Sequence, residues 1–309
     1  MRRPALHRLA AIVAVPAVVA AAAQPAVATG VATKDRSAPT ERGDTASLVD
    51  VVGTPDGFTL PESVPPGMTT FRVTTSDPNG IRLGLFRLND GVDLDRFLVH
   101  LVQSIAGEGE EQISAGRAVM REAGMLGGEA TVAGERAAFT QFLRPGRYHL
   151  IDYEDIEDGD ADGPVAVEEL TVTGEFHPGS PPLPDEAITM VDTPDGPRYR
   201  APRVLSGDSA ILVTNLTEQV DEAIFMRVRP GTTRADVQGF FEALDRDEGP
   251  PEYPFVGLPH GMPVISPGHA EIIQPDLPRG RYALITWVPD LDDGGMHAAD
   301  GMHTLVTVR

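Results

Sequence analysis

Cysteine is absent from all 309 residues, lysine occurs once, at Lys34, and tryptophan once, at Trp287. Without cysteine there is no disulfide framework, no thiolate metal ligand and no cysteine-borne lipid, so stability rests on burial alone. Basic residues are scarce: 25 Lys and Arg stand against 46 Asp and Glu, a formal net charge of −21. A surface of that sign repels phosphates and argues against nucleic acid as a partner, while it favours solubility and cations. Catalytic signatures are missing too. There is no G-x-S-x-G elbow, no H-E-x-x-H and no P-loop, so the expectation is a protein that is not an enzyme.

Long apolar runs are equally few. The only extended one, Leu9 to Ala23, follows Arg2, Arg3 and Arg8 and precedes the small-residue site Ala26-Val27-Ala28. That order is a secretory signal pattern over residues 1–28, with cleavage expected after Ala28 and a secreted or extracytoplasmic destination. Pro16 interrupts the run, which is short for the roughly 20 residues of a spanning helix, and no transmembrane segment is expected in the mature chain. Residues 29–45 are polar, lack periodicity and read as a flexible spacer.

What is present is a repeat. Thr54-Pro55-Asp56-Gly57 recurs as Thr193-Pro194-Asp195-Gly196, and Pro66-Gly67 before Thr70-Phe71-Arg72-Val73-Thr74 recurs as Ser206-Gly207 before Ala210-Ile211-Leu212-Val213-Thr214. Leu85-Phe86-Arg87-Leu88 answers to Phe225-Met226-Arg227-Val228, and Gly146-Arg147-Tyr148 to Gly280-Arg281-Tyr282. Four collinear matches imply two copies of one unit, and a repeat constrains the fold more than local propensity does. Each copy alternates like strands, with one exception. Leu94, Phe97, Leu98, Leu101 and Ile105 fall at helical spacing after the N-cap candidate Asp93. In the second copy Thr233 and Asp236 form a capping box ahead of Val237, Phe240, Phe241 and Leu244. Between the copies, residues 176–187 are rich in proline, which cannot donate to a sheet ladder, and they read as a linker. The expected units are therefore residues 46–175 and 188–309.

The second unit ends in a strand, Arg281 to Val288, then a loop carrying His297 and Met302 in an H-x4-M spacing, then a last strand, His303 to Val308. With the glycine-turn strand at Gly207 and the Thr233 helix, this order resembles the cupredoxin family, the plastocyanin and azurin class. The resemblance implies an all-β fold, two tandem Greek-key β-sandwiches, each with one short inserted helix. It also implies a blue-copper site of two His, one Cys and one axial Met. The Cys position corresponds to Thr286, before Trp287, and the first His position to Asp221-Glu222. In the first copy the Cys position corresponds to Asp152, before Tyr153. A thiolate is indispensable to blue copper, so the resemblance extends to the scaffold and not to that chemistry.

Two other metal schemes fit residues that are present. Met296, His297, Met302 and His303, with His260, Met262 and His269 upstream, offer thioether and imidazole ligands suited to Cu(I). His297, Met302, His260 and Met262 are the candidates. Separately, Asp158, Asp160, Asp162, Gly163 and Glu169 match the Ca²⁺-loop pattern D-x-D-x-D-G-x5-E, although strand-like segments flank them where helices would be expected. The leading expectation is an exported binding or structural module with no cofactor, engaging an extracellular protein or glycan. Copper or calcium is the alternative.

Overall fold

The computed structural model describes residues 45–157, 165–246 and 252–309. The expected leader, most of the spacer, and Asp158, Asp160 and Asp162 lie outside the described residues. From residue 44 to the C-terminus the chain forms one compact unit.

Nine strands come from the first repeat: β1 Ser47–Thr54, β2 Gly57–Thr59, β3 Ser63–Val64, β4 Gly67–Thr75, β5 Ile81–Leu88, β6 Ala123–Thr131, β7 Ala137–Leu143, β8 Gly146–Asp152 and β9 Val167–Val172. The second supplies a matching nine: β10 Glu186–Thr193, β11 Gly196–Arg200, β12 Val204–Leu205, β13 Ile211–Leu216, β14 Asp221–Arg227, β15 His260–Ile265, β16 Ala270–Gln274, β17 Gly280–Ile285 and β18 Thr304–Val308. The helices are α1 Leu94–Ala106, α2 Gly109–Glu122, α3 Glu154–Glu157 and α4 Arg234–Asp245.

The repeated sequence makes the repeated contacts. In both copies the Thr-Pro-Asp-Gly turn closes a hairpin, with Thr54 Oγ1 donating to Gly57 O at 3.0 Å and Thr193 Oγ1 to Gly196 O at 2.7 Å. The turn-opened strands pair in parallel, β1 with β4 and β10 with β13. Tyr148 Oη donates to the carbonyl four residues back, at Arg144, and Tyr282 Oη does so to Pro278. Both helices read from the sequence are present. Asp93 caps α1 by accepting from Arg96 N at 3.1 Å, and Thr233 with Asp236 forms the capping box of α4. The first repeat carries α2 and α3 in addition.

Two mixed sheets result. One runs β11-β10-β13-β16-β7-β4-β1-β2, the other β12-β18-β17-β14-β15-β6-β5-β8-β9-β3. Both are continuous across the two repeats, because β7 pairs with its counterpart β16 and β6 with its counterpart β15. Both junctions are antiparallel, as a two-fold relation between the halves requires. The main core lies between the sheets, where alternate residues such as Val49, Val51, Phe71 and Val73 are fully buried and Phe71 stacks on Phe139 at 4.6 Å. At about 25 cal/mol per Å² of apolar area, this burial is the chief term holding a chain that has no disulfides. The helices cover the outer face of the second sheet: Phe97 of α1 packs on Phe86 of β5, and Phe240 and Phe241 of α4 pack on Phe255 and Trp287. The linker residues follow the first repeat, His177 N donating to Pro66 O at 2.8 Å and His177 Nε2 meeting Thr45 O at 2.9 Å.

Candidate functional site

The loop between β17 and β18 folds back on the start of β14 through a chain of backbone contacts. Trp287 N donates to Glu222 Oε2 at 2.9 Å, His297 N to Val288 O at 3.4 Å, and Met302 N to His297 O at 2.9 Å. Asp221, Thr286, His297 and Met302 are all buried, and of the four side chains Asp221 and His297 are in contact. The family resemblance places copper ligands at Asp221-Glu222, Thr286, His297 and Met302.

Asp221 and His297 are directly paired. His297 Nδ1 lies 3.1 Å from Asp221 Oδ2, and His297 Nε2 lies 3.9 Å from Asp290 Oδ2. Burial pulls the His297 pKa down, but the Asp221 hydrogen bond and the charges of Asp221, Asp290 and Asp300 outweigh it and leave the pKa raised. Tyr199 closes the same side, its hydroxyl donating to Glu222 O, and burial followed by the charges of Asp221 and Glu222 pushes its pKa well up. Thr286 has no thiol to offer, and its Oγ1 accepts from Val288 N at 3.1 Å. Met302 is enclosed in the main core. The donor set does not fit blue copper.

The other candidates take separate partners. His303 Nε2 bonds Gln238 Oε1 at 2.7 Å, and burial, with Arg234 and Arg198 nearby, lowers its pKa to about 4. His260 Nε2 bonds Glu135 Oε2 at 2.7 Å, while Met262 lies in the core between the sheets. Among the described residues no group of three or more His, Asp or Glu side chains is placed to hold a metal ion. Glu169, the one described member of the calcium pattern, is on β9, with its carboxylate 3.8 Å from Arg147. The helix α3 precedes that loop and a strand follows it, so the flanks differ from the helix pair of an EF-hand. The resemblance placed Asp221-Glu222 and His297 at one site, but that Asp221 pairs directly with His297 across 76 positions carries no local signal in the sequence.

No protein-family model matches the chain, and no curated protein does. Solved structures that it is similar to include a copper nitrite reductase from Thermus scotoductus, at 11% identity over 86% of this chain and 62% of that one, with a TM-score of 0.24. An auracyanin from Roseiflexus castenholzii aligns at 17% identity over 41% of this chain and 99% of its own, also at 0.24. A multicopper oxidase aligns at 11% identity over 89% and 93%, at 0.23. The described strands form two packed mixed β-sheets in a chain without cysteine.

Proposed function

We propose that this protein is an exported, non-enzymatic binding or structural module in which the copper-site end of a cupredoxin-like sandwich has become a structural ion pair. The observation that carries the reading is the buried contact between Asp221 and His297 at 3.1 Å. With Nδ1 on the Asp221 carboxylate and Nε2 3.9 Å from that of Asp290, the imidazole is held between two carboxylates, and such a buried pair holds one arrangement of the surrounding loop. The net charge of −21 and the signal pattern at residues 1–28 support an extracytoplasmic partner that is not nucleic acid, either a protein or a glycan. The test is metal analysis of the purified protein with Cu(I) and Cu(II) titration. No stoichiometric copper at the His297 end is expected, and melting temperature should not respond to copper. Copper at one equivalent, lost on His297→Gln or Met302→Leu, would overturn the reading.

A further inference from the structure

Two glutamates inside the seam between the repeats have no counter-charge among the described residues. Glu129, on β6, and Glu271, on β16, are fully buried. Strand register sends both into the space between the sheets. Glu129 is paired with Leu83, a core residue, and Glu271 with Val213, another. Each carboxylate has one oxygen satisfied by a backbone amide: Gly261 N donates to Glu129 Oε1 at 3.0 Å, and Gly128 N donates to Glu271 Oε2 at 2.9 Å.

The other two oxygens, Glu129 Oε2 and Glu271 Oε1, are buried without a partner, and so are the hydroxyls of Thr69 on β4 and Thr131 on β6. No hydrogen bond links the two carboxyls, yet they lie close enough for the charge of Glu129 to raise the pKa of Glu271, after burial itself. Glycine at 127 and 128 makes the approach possible. Gly128 holds a φ of +145°, and a Cβ there would collide with the Leu83 carbonyl, while a Cβ on Gly127 would overlap the Glu271 carboxylate.

The surrounding strands bring no positive side chain to this point. Thr69 of β4 pairs with Gln141 of β7, Thr131 follows Glu129 by two residues on β6, and His260 of β15 bonds Glu135 through Nε2 while its Nδ1 is buried without a partner. Gln141 spends its amide N–H groups on Leu126 O and Ala270 O, which leaves an amide oxygen at the same seam. Two buried carboxylates with no cation are strongly disfavoured, whereas a hard divalent ion is neutralised by two carboxylates and takes hydroxyl, amide and water oxygens as its remaining ligands.

We propose that Glu129 and Glu271 hold a hard divalent cation of the Ca²⁺ class inside the seam, with Thr69, Thr131 and Gln141 completing an all-oxygen environment. The ion ties β6 of one repeat to β16 of the other. The site uses neither His297 nor the acidic residues Asp158, Asp160, Asp162 and Glu169, and it holds whether or not the proposed function does.

The test is elemental analysis of the full mature chain as purified, followed by thermal melts at pH 7.5 in chelator and in added Ca²⁺. Expected is about one divalent ion per chain retained through dialysis, and a melting temperature raised by Ca²⁺ after refolding in chelator. Glu129→Gln with Glu271→Gln should abolish both the bound ion and the Ca²⁺ response while leaving a folded protein, because neutral amides need no counter-ion. Asp160→Ala should leave both intact, which separates the seam from the acidic loop. At pH 4.5 protons compete and the Ca²⁺ shift should shrink. Absence of a bound ion together with no Ca²⁺ response in the wild type would overturn the proposal and leave protons as the neutralising charge. So would loss of the response in Asp160→Ala alone.

Discussion

His297 and Asp221 meet at 3.1 Å across 76 positions of sequence, both enclosed, in the place where the family resemblance puts two copper ligands. Removing one partner strands the other in a low-dielectric interior. Asp221→Ala should therefore cost about 3–5 kcal/mol of folding stability, measured by urea denaturation. A loss below about 1 kcal/mol, the range of exposed pairs, would show this pair to be solvated.

The same pair predicts a pH dependence. The folded pKa of His297 is raised above its ordinary 6.5, so its contribution to stability is complete below that value and fades as pH rises through the folded pKa. The melting-temperature gap between wild type and His297→Gln should be larger at pH 6 than at pH 9. A gap independent of pH would contradict a charged His297.

Six residues on, His303 should behave in the opposite way. Burial, then Arg234 and Arg198, hold it neutral down to about pH 4, so its contribution is present above the unfolded value near 6.5 and is lost as pH falls toward 4. His303→Gln removes that titration. The variant should lose less melting temperature than the wild type between pH 6.5 and pH 4.5, and equal acid sensitivity in the two proteins would refute the assignment.

Met302 distinguishes packing from ligation. It is fully buried among apolar neighbours. Met302→Ala should cost about 2–5 kcal/mol and Met302→Leu under about 1.5 kcal/mol, because leucine nearly conserves volume. Chemical denaturation in chelator measures both. A Met302→Leu variant as damaged as Met302→Ala would point to a role for the thioether itself.

The correspondence with a copper site can also be tested by restoring it. Asp221→His with Thr286→Cys, alongside His297 and Met302, rebuilds the set of two imidazoles, one thiolate and one thioether. That double variant should bind Cu(II) with an intense visible thiolate-to-copper band, which the wild type lacks. A colourless variant that still folds would show that the four positions do not converge closely enough.

The parts of the fold written locally were readable. Alternation, the Thr-Pro-Asp-Gly turns and the caps at Asp93 and Thr233 depend on residues within a few positions of each other, and each made the contact it implied. The helix α2 was not read from the sequence: beside Ile113 and Val119 its buried face is completed by the small residues Ala115, Gly116 and Ala118. Gly116 is small for a reason: a Cβ there would overlap Leu291 from the second repeat. The seam was invisible for the same kind of cause. That β6 joins β15 and β7 joins β16 is a tertiary pairing with no signature in either strand. Nothing in the residues flanking Glu129 and Glu271 accordingly marks either of them as buried.

The seam also covers strand edges that each half would otherwise leave open. Strands β6, β7, β15 and β16 would each present a row of unpaired amides and carbonyls if the halves were separated, and such open edges invite pairing with any other chain. Joined counterpart to counterpart, each half caps the other. A chain cut within residues 176–187 would expose two sheet edges per fragment, and identical fragments would be offered the antiparallel pairing that the intact chain makes with itself.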